Sequence, residues 1–433
     1  MKRLSRLGCV LLVIVLLLLA AGGVAFVLRG TPVHMVFAEG DAAGPPAPSD
    51  SLFAHTMEMY TGTHIEPGNR VEVLLNGDGT YPPLWRDIDA ATSTVTVQMY
   101  YSQPGQVADT LQQHLIRAAR RKVRVKLLLD AFGSQNLTDA WRDPLREAGV
   151  ELATLRDLHW YAFHAAANRS HARVVVVDGR IGYTGGFGLA DYWLGNARSR
   201  DEWRETNVRF EGPAVAWLQA AFATAWAEAT GELLTGDLHF PRDVPHSAPG
   251  TVRAGLLFTS PTVGSTSAER FLALSIAGAR RTLYITNSYF VPDDDVRRLL
   301  IRARARGVDV RILTAGDESD VKSTLWAGRW RYEQLLRGGV RIWEYQPTML
   351  HAKTLAVDGV WSSIGSMNFD NRSLAHNNET NLVVLDSAIG AQLDRIFLDD
   401  LRSAKEIRLE EFRQRSWWEK TKELGASLLS RLL

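Results

Sequence analysis

One string occurs twice in the chain: HARVVVVD at 171–178 and HAKTLAVD at 351–358. Each is followed by a glycine and then by a turn of small residues, TGGFGL at 184–189 and GSMNFDN at 365–371. The repetition extends around the strings. TVTVQMYY (94–101) answers TLYITNSYF (282–290), and LQQHLIRAARRKVRVKLLLD (111–130) answers VRRLLIRARARGVDVRILTA (296–315). LREAGVEL (145–152) answers LLRGGVRI (335–342), and RETNVRF (204–210) answers NETNLVVL (378–385). Both copies must satisfy one topology. Alternating, β-branched segments give way to helical spacing of apolar residues, which predicts a layered α/β fold with much parallel sheet. Two repeats this long predict a pair of pseudo-twofold-related α/β domains. A solenoid would have shorter repeats.

A turn-rich stretch, DLHFPRDVPHSAPG (237–250), separates the copies. It places a first domain at 61–240 and a second at 251–405. Ahead of them, residues 8–28 carry no charged side chain, and a bilayer-crossing helix needs about 20 apolar residues. Residues 1–29 therefore read as a membrane anchor, with a signal peptide cleaved near Ala20–Gly23 as the alternative. Lys2, Arg3 and Arg6 precede the apolar run and Arg29 follows it. The positive-inside rule then predicts a single-pass cell-membrane protein with the rest of the chain extracytoplasmic. Residues 30–60, including EGDAAGPPAPSDS (39–51), read as a flexible tether.

Residues 406–433 read as an amphipathic helix with Trp417, Thr421, Leu424, Leu428 and Leu432 on one face and Lys420, Lys422 and Arg431 elsewhere. That pattern suits either a membrane-surface contact or a helix docked on the protein's own core. TLWAGRWRYEQLL (324–336) reads in the same two ways. The formal net charge of +1 argues against a general nucleic-acid binder. The single cysteine, Cys9, permits neither an intrachain disulfide nor a cysteine zinc cluster.

Side chains two apart on a strand share a face, so His171 sits with Arg173 and His351 with Lys353. Each string ends in an Asp-Gly turn, at Asp178 and Asp358. Each copy also supplies a glutamate, Glu205 or Glu379, and a carboxylate behind an imidazole fixes its tautomer. Two imidazoles and two cations suit displacement at a phosphodiester. One histidine attacks phosphorus and the other protonates the leaving oxygen, while the cations hold the non-bridging oxygens. One His-x-Lys pair alone is usually a surface pair. Two copies with matching glycine turns and Glu-Thr-Asn segments are hard to explain as packing.

HAKTLAVDG…GSMNFDNRS resembles the HxKxxxxD…GSxN signature of the phospholipase D superfamily. TGTHIEPGNRVEVLLNGDGTYPPL (61–84), NSYFVPDDDV (287–296), YQPTMLHAKTLAVDGVWSSIGSMNFDNRSL (345–374) and the Trp-containing tail are similar to bacterial cardiolipin synthases. The resemblance implies two α/β sandwich domains around one shared active site that is complete in one monomer, a phosphohistidine mechanism without metal or cofactor, a phospholipid substrate, a membrane setting and no nucleic-acid partner. It implies the joining of two phosphatidylglycerols into cardiolipin with release of glycerol. His351, Lys353, Asp358, Gly365, Ser366 and Asn368 match the motif in full, with Glu379 downstream. The first copy departs from it at Arg173, where lysine is usual, and at Gly188, where asparagine is usual. The family pattern makes His171 the nucleophile, His351 the general acid, and Asp178 and Asp358 supports. Arg173 is expected to reach phosphate, its wider fork accommodated by the space beside Gly188. The rival readings are a phospholipase D hydrolase with water as acceptor, a nuclease of the same superfamily, and a membrane scaffold whose first site has decayed.

Overall fold

The computed structural model describes residues 2–27, 33–37, 44–156, 169–243, 249–260 and 266–428. Its strands are β1 (Glu66–Leu75), β2 (Thr94–Met99), β3 (Arg124–Asp130), β4 (Glu151–Leu155), β5 (Val174–Val177), β6 (Ile181–Gly185), β7 (Thr206–Glu211) and β8 (Val252–Thr259). They continue as β9 (Thr282–Asn287), β10 (Asp309–Ala315), β11 (Arg341–Tyr345), β12 (Lys353–Val357), β13 (Trp361–Gly365), β14 (Glu379–Leu385) and β15 (Ala404–Ile407). All join one sheet in the order β15-β11-β10-β9-β12-β13-β14-β8-β1-β7-β6-β5-β2-β3-β4. The order is a near palindrome of the repeat. The run β4-β3-β2-β5-β6-β7-β1 mirrors β11-β10-β9-β12-β13-β14-β8, and β1 pairs antiparallel with β8 between them.

Parallel pairing is narrower than the sequence suggested. Among the strands it is confined to β2–β3–β4 and β9–β10–β11, which helices such as Gln106–Arg120 and Asp294–Ala305 connect. The remaining strand pairs are antiparallel, and the Asp-Gly sequences close two of them, β5–β6 and β12–β13, as hairpins. Asp178 and Gly179 have φ 53° and 64°, and Asp358 and Gly359 have φ 56° and 68°. Two successive positive φ values make the turn whose twist matches flanking strands.

Alternation along the strands feeds a core on each face of the sheet. Val175 and Val177 join Leu84, Leu111 and Leu115 from helices Asn76–Ala90 and Gln106–Arg120. Val174 and Val176 join Phe222 and Trp226 of helix Ala214–Thr230, in a cluster that continues into Leu256, Leu313 and Phe397 of the second half. The two halves therefore share one continuous core.

Two expectations about peripheral segments are corrected. Residues 51–60, read as tether, belong to helix Ser51–Thr61, which packs on the second half. Its Phe53 meets the buried Trp361 edge-on at 5.2 Å, an anchor whose removal costs about 3–5 kcal/mol. Leu52 and Asp50 show why the helix starts there, since the Asp50 carboxylate caps the Leu52 N–H at 2.9 Å. The second correction is that 406–433, read as one amphipathic helix, holds the end of β15 and two helices, Leu409–Arg413 and Trp417–Leu428. Of the two readings of the tail, docking holds: Trp417–Leu428 packs on helix Lys322–Arg337 with Glu423, Ala426 and Ser427 inward. Arg415 neutralises the buried Glu423 at 2.8 Å. Trp417, Leu424 and Leu428 face outward, 62%, 42% and 77% exposed. Leu432 and Arg431 lie outside the described residues. In helix Lys322–Arg337, Trp326 is partly buried against Ala426, and Trp330 is exposed.

At the N-terminus a helix spans Lys2–Val27, and the side chains of 8–20 are exposed. Taken over the described residues, no helix is long and apolar enough to cross a membrane. The transmembrane reading of 8–28 therefore rests on the sequence.

Candidate active site

The two histidine strings meet where the halves face each other. Two short bridges bring this about. Ser170 pairs with Asn378, and Arg204 pairs with Leu350. The Asn378 N–H donates to the Arg169 carbonyl at 3.0 Å, and the His351 N–H donates to the Arg204 carbonyl at 2.7 Å. Each bridge lays the histidine segment of one half beside the Glu-Thr-Asn segment of the other.

The carboxylates consequently cross over. Glu379 of the second half accepts from Nδ1 of His171, at 2.9 and 3.0 Å to its two oxygens. Glu205 of the first half accepts from Nδ1 of His351 at 2.6 Å. With Nδ1–H committed to a carboxylate, each ring keeps its lone pair on Nε2, the tautomer for a nucleophile or base. The asparagines of the same segments stay at home. Asn207 accepts from the Gly186 and Phe187 N–H groups at 3.0 and 3.2 Å, and Asn381 accepts from Met367 at 3.3 Å. They pin the glycine turns, a role the shared Glu-Thr-Asn could have signalled and the sequence reading missed.

Both cations are buried and fold back on their own strings. Arg173 donates from Nη1 to the His171 carbonyl at 2.7 Å and from Nε to the Phe187 carbonyl at 3.2 Å. Lys353 donates to the His351 carbonyl. Tyr100 lies 5.8 Å from the Arg173 guanidinium and Tyr289 lies 5.9 Å from the Lys353 ammonium, each measured to the ring centre.

Burial sets the protonation states. Desolvation, and then the Arg173 charge, bring His171 down to about 4. Desolvation, and then Lys353, hold His351 well below the usual imidazole range. Lys353 itself is brought down to about 7 by burial, against the pull of Glu205. Glu205 is pushed up to about 6 by burial, against the pull of Lys353. Arg173 is also lowered by burial, with Glu379 opposing. At neutral pH the site thus holds two neutral imidazoles, with Lys353 close to its own titration point.

The supporting residues divide by position. Ser366 donates to Glu379 at 2.5 Å, and Asn377 donates to the same carboxylate at 3.3 Å. Asn368 lines the cavity, and its Oδ1 has no hydrogen-bond partner among the described residues. Asp178 and Asp358 stand away from the cavity. Asp178 accepts from the Thr92, Ser93 and Thr94 N–H groups at 2.8–2.9 Å. Asp358 accepts from Arg280, Arg281 and Thr282 at 2.7–2.9 Å. They tie the hairpin turns to the starts of β2 and β9. Asp178 is held below its ordinary range because these donors outweigh its burial.

The space beside Gly188 is not available to Arg173, contrary to expectation. A Cβ at Gly188 would lie 2.6 and 2.7 Å from ring carbons of Trp193 and 2.9 Å from the Tyr101 carbonyl. Trp193 fills the place an asparagine would take. It fills a second gap as well. Gly186 stands where the second copy has Ser366, so Glu205 receives no serine hydroxyl. A Cβ there would lie 2.4 Å from the Glu205 carboxylate. The Trp193 indole N–H donates to Glu205 at 3.3 Å instead. The ring also packs edge-on to His351 at 5.4 Å. The Gly186 departure and the part played by Trp193 were both missed by the sequence reading. Writing the two turns in register, GGFG against GSMN, exposes the first.

The cavity between the histidines has a volume of about 460 Å³. Tyr100, Tyr192, Trp193, Trp203 and Tyr289 give it an aromatic wall. Among the described residues no group of three or more His, Cys, Asp or Glu could hold a metal ion. Two Nε2 atoms, two cations and crossed carboxylates can hold an anionic diester and pass a proton across it.

A duplicated α/β sheet with a His-x-Arg/Lys string from each half beside one cavity defines a PLD-like protein. A family model described as cardiolipin synthase, PLD-like domain, matches residues 84–226 and 272–401. The cardiolipin synthase of Geobacillus kaustophilus is 33% identical over 375 residues, covering 86% of this chain and 74% of that protein. Cardiolipin synthase A of Pseudomonas putida is 33% identical over 381 residues, covering 85% and 78%. The chain belongs to the cardiolipin synthase family of PLD-like proteins. Among solved structures, a phosphatidylserine synthase from Haemophilus influenzae matches with a TM-score of 0.65 over 88% of this chain and 100% of that one, at 13% identity. A polyphosphate kinase from Porphyromonas gingivalis matches with a TM-score of 0.54 at 15% identity, over 79% of this chain and 49% of that one. These two likenesses show the fold alone.

Proposed function

We propose that this protein is a membrane-bound phosphatidyltransferase that joins two phosphatidylglycerols into cardiolipin and releases glycerol. The observation that carries the chemistry is the crossed pairing of His171 with Glu379 and His351 with Glu205 in one cavity. The lipid assignment comes from the relatives named above, which are cardiolipin synthases.

The diester of the donor lipid settles between Arg173 and Lys353. Its charge favours the ammonium of Lys353 and a proton on Nε2 of His351, both of which burial alone opposes. Nε2 of His171 attacks phosphorus, the P–N bond forms, and the P–O bond to glycerol breaks. The leaving oxygen takes the proton from His351. In the second half-reaction His351 removes the proton from a glycerol hydroxyl of the acceptor lipid. That oxygen attacks phosphorus, the P–N bond breaks, and His171 is restored. The carboxylates of Glu379 and Glu205 offset the imidazolium charge in each step.

The membrane setting draws on the apolar run 8–28 and on the outward face of helix Trp417–Leu428. Trp417 and Trp418 stack there at 3.8 Å and stay exposed, as interfacial residues do. The catalytic part then lies outside the cytoplasm.

The test is direct. Detergent-solubilised protein is incubated with phosphatidylglycerol, and the products are identified by lipid mass spectrometry. Cardiolipin with glycerol is expected. Phosphatidic acid as the main product would make the protein a hydrolase and overturn the proposal.

A further inference from the structure

One guanidinium in the cavity is not used by the two-histidine chemistry. Arg169 lines the same space as His171. Its backbone is fixed by the bridge to the second half, through the Asn378 N–H. Its side chain lies over the exposed ring of Phe132, 4.2 Å from the ring centre. Among the described residues that guanidinium has no hydrogen bond and no ion pair.

This sets it apart from other partly buried arginines in the fold. Arg204 is held by Asp400 at 2.8 Å, Arg209 by Asp87 at 2.6 Å and Arg329 by Glu344 at 2.6 Å. An unpaired half-buried cation is unfavourable, and its neighbours make it more so. Burial lowers the affinity of Arg169 for its proton, and the nearby charges of Arg372 and Arg156 act in the same direction. Asp130 opposes them from close by. Its carboxylate, however, is occupied by the N–H groups of Phe132, Gly133 and Ser170 at 3.0–3.3 Å. Arg372 lines the same cavity, close enough for its charge to act on Arg169. The pair adds to the positive charge that Arg173 brings to the cavity.

The spacing suits a second phosphate. Arg169 and His171 are two residues apart across the bridged residue Ser170, so they share a side of an extended segment. Two residues of extended chain span about 6.6 Å. The two phosphates of the product are joined by a single glycerol.

We propose that Arg169, with Arg372 beside it, is an anion subsite that holds the phosphodiester of the second, acceptor lipid. This rests on the phosphatidyltransferase reading above. Arg169 contributes a forked, charge-assisted contact to that phosphate, and Phe132 orients the fork by a cation–π contact.

The test compares two acceptors that share the donor step. Full-length protein in detergent micelles is given phosphatidylglycerol and isotopically labelled glycerol. Cardiolipin formation needs an anionic lipid acceptor. Exchange of labelled glycerol into phosphatidylglycerol uses the same donor and the same histidines with a neutral acceptor. For Arg169→Ala the ratio of cardiolipin formation to exchange is expected to fall about tenfold or more, the loss of one charge-assisted contact. Arg169→Lys, which keeps the charge, should recover part of the ratio. An unchanged ratio, whether both reactions persist or both fall together, would overturn the subsite. A wild-type protein that performs neither reaction would instead overturn the transferase reading.

Discussion

Gly188 and Trp193 offer a test of how the first half-site is built. An asparagine at 188 would place its Cβ 2.6 Å from the Trp193 ring, well inside van der Waals contact. Gly188 does not have a left-handed φ, so the obstacle is the ring and not the backbone. Overpacking of this kind costs about 1–3 kcal/mol. Trp193 is buried among Tyr101, Tyr192 and Trp203. Trp193→Ala removes that packing, at about 3–5 kcal/mol, and also the indole N–H bond to Glu205, at about 1 kcal/mol. If the asparagine refills the vacated space, Gly188→Asn with Trp193→Ala will be less destabilised than the sum of the single changes. A coupling of about 1–3 kcal/mol is expected. The assay is urea unfolding of the four proteins, with kcat/KM measured beside it. Additivity within about 0.5 kcal/mol would refute the idea that Trp193 occupies the place of the missing asparagine. Arg173→Lys should not rescue Gly188→Asn, because the asparagine meets Trp193 whatever stands at 173.

Two further outcomes follow from the site. His351→Asn slows formation of the adduct by removing the acid but also removes the base that activates the acceptor, so the phosphatidyl group that does form on His171 should persist as an acid-labile adduct, read by mass spectrometry of the acid-sparing digest. An adduct at His351 in the reciprocal His171→Asn protein would reverse the roles. The pH profile of kcat/KM should be bell-shaped, rising as Glu205 ionises near 6 and falling as Lys353 loses its proton near 7. Lys353→Arg keeps its charge and should abolish the alkaline limb, and persistence of that limb would assign it to another group. Trp193→Phe removes a donor that favours the Glu205 carboxylate, so its acid limb should move to higher pH.

The duplication, the alternation of strands and helices, the Asp-Gly hairpins and the histidine–cation strings are all local patterns. Backbone sterics and side-chain periodicity act over a few residues, so these features could be read directly from the chain. The membership in the cardiolipin synthase family followed from the same strings. The partner of each histidine could not be read in this way. Glu379 and His171 are separated by 208 positions and Glu205 and His351 by 146, and nothing in either motif says that the carboxylates cross. The bridges at Ser170–Asn378 and Arg204–Leu350 decide that. Compensation at the first glycine turn was equally hidden. The sequence showed that an asparagine was missing at Gly188 and suggested Arg173 as its beneficiary. Only packing assigned the space to Trp193, because a volume left by one residue belongs to whichever side chain the surrounding fold brings against it.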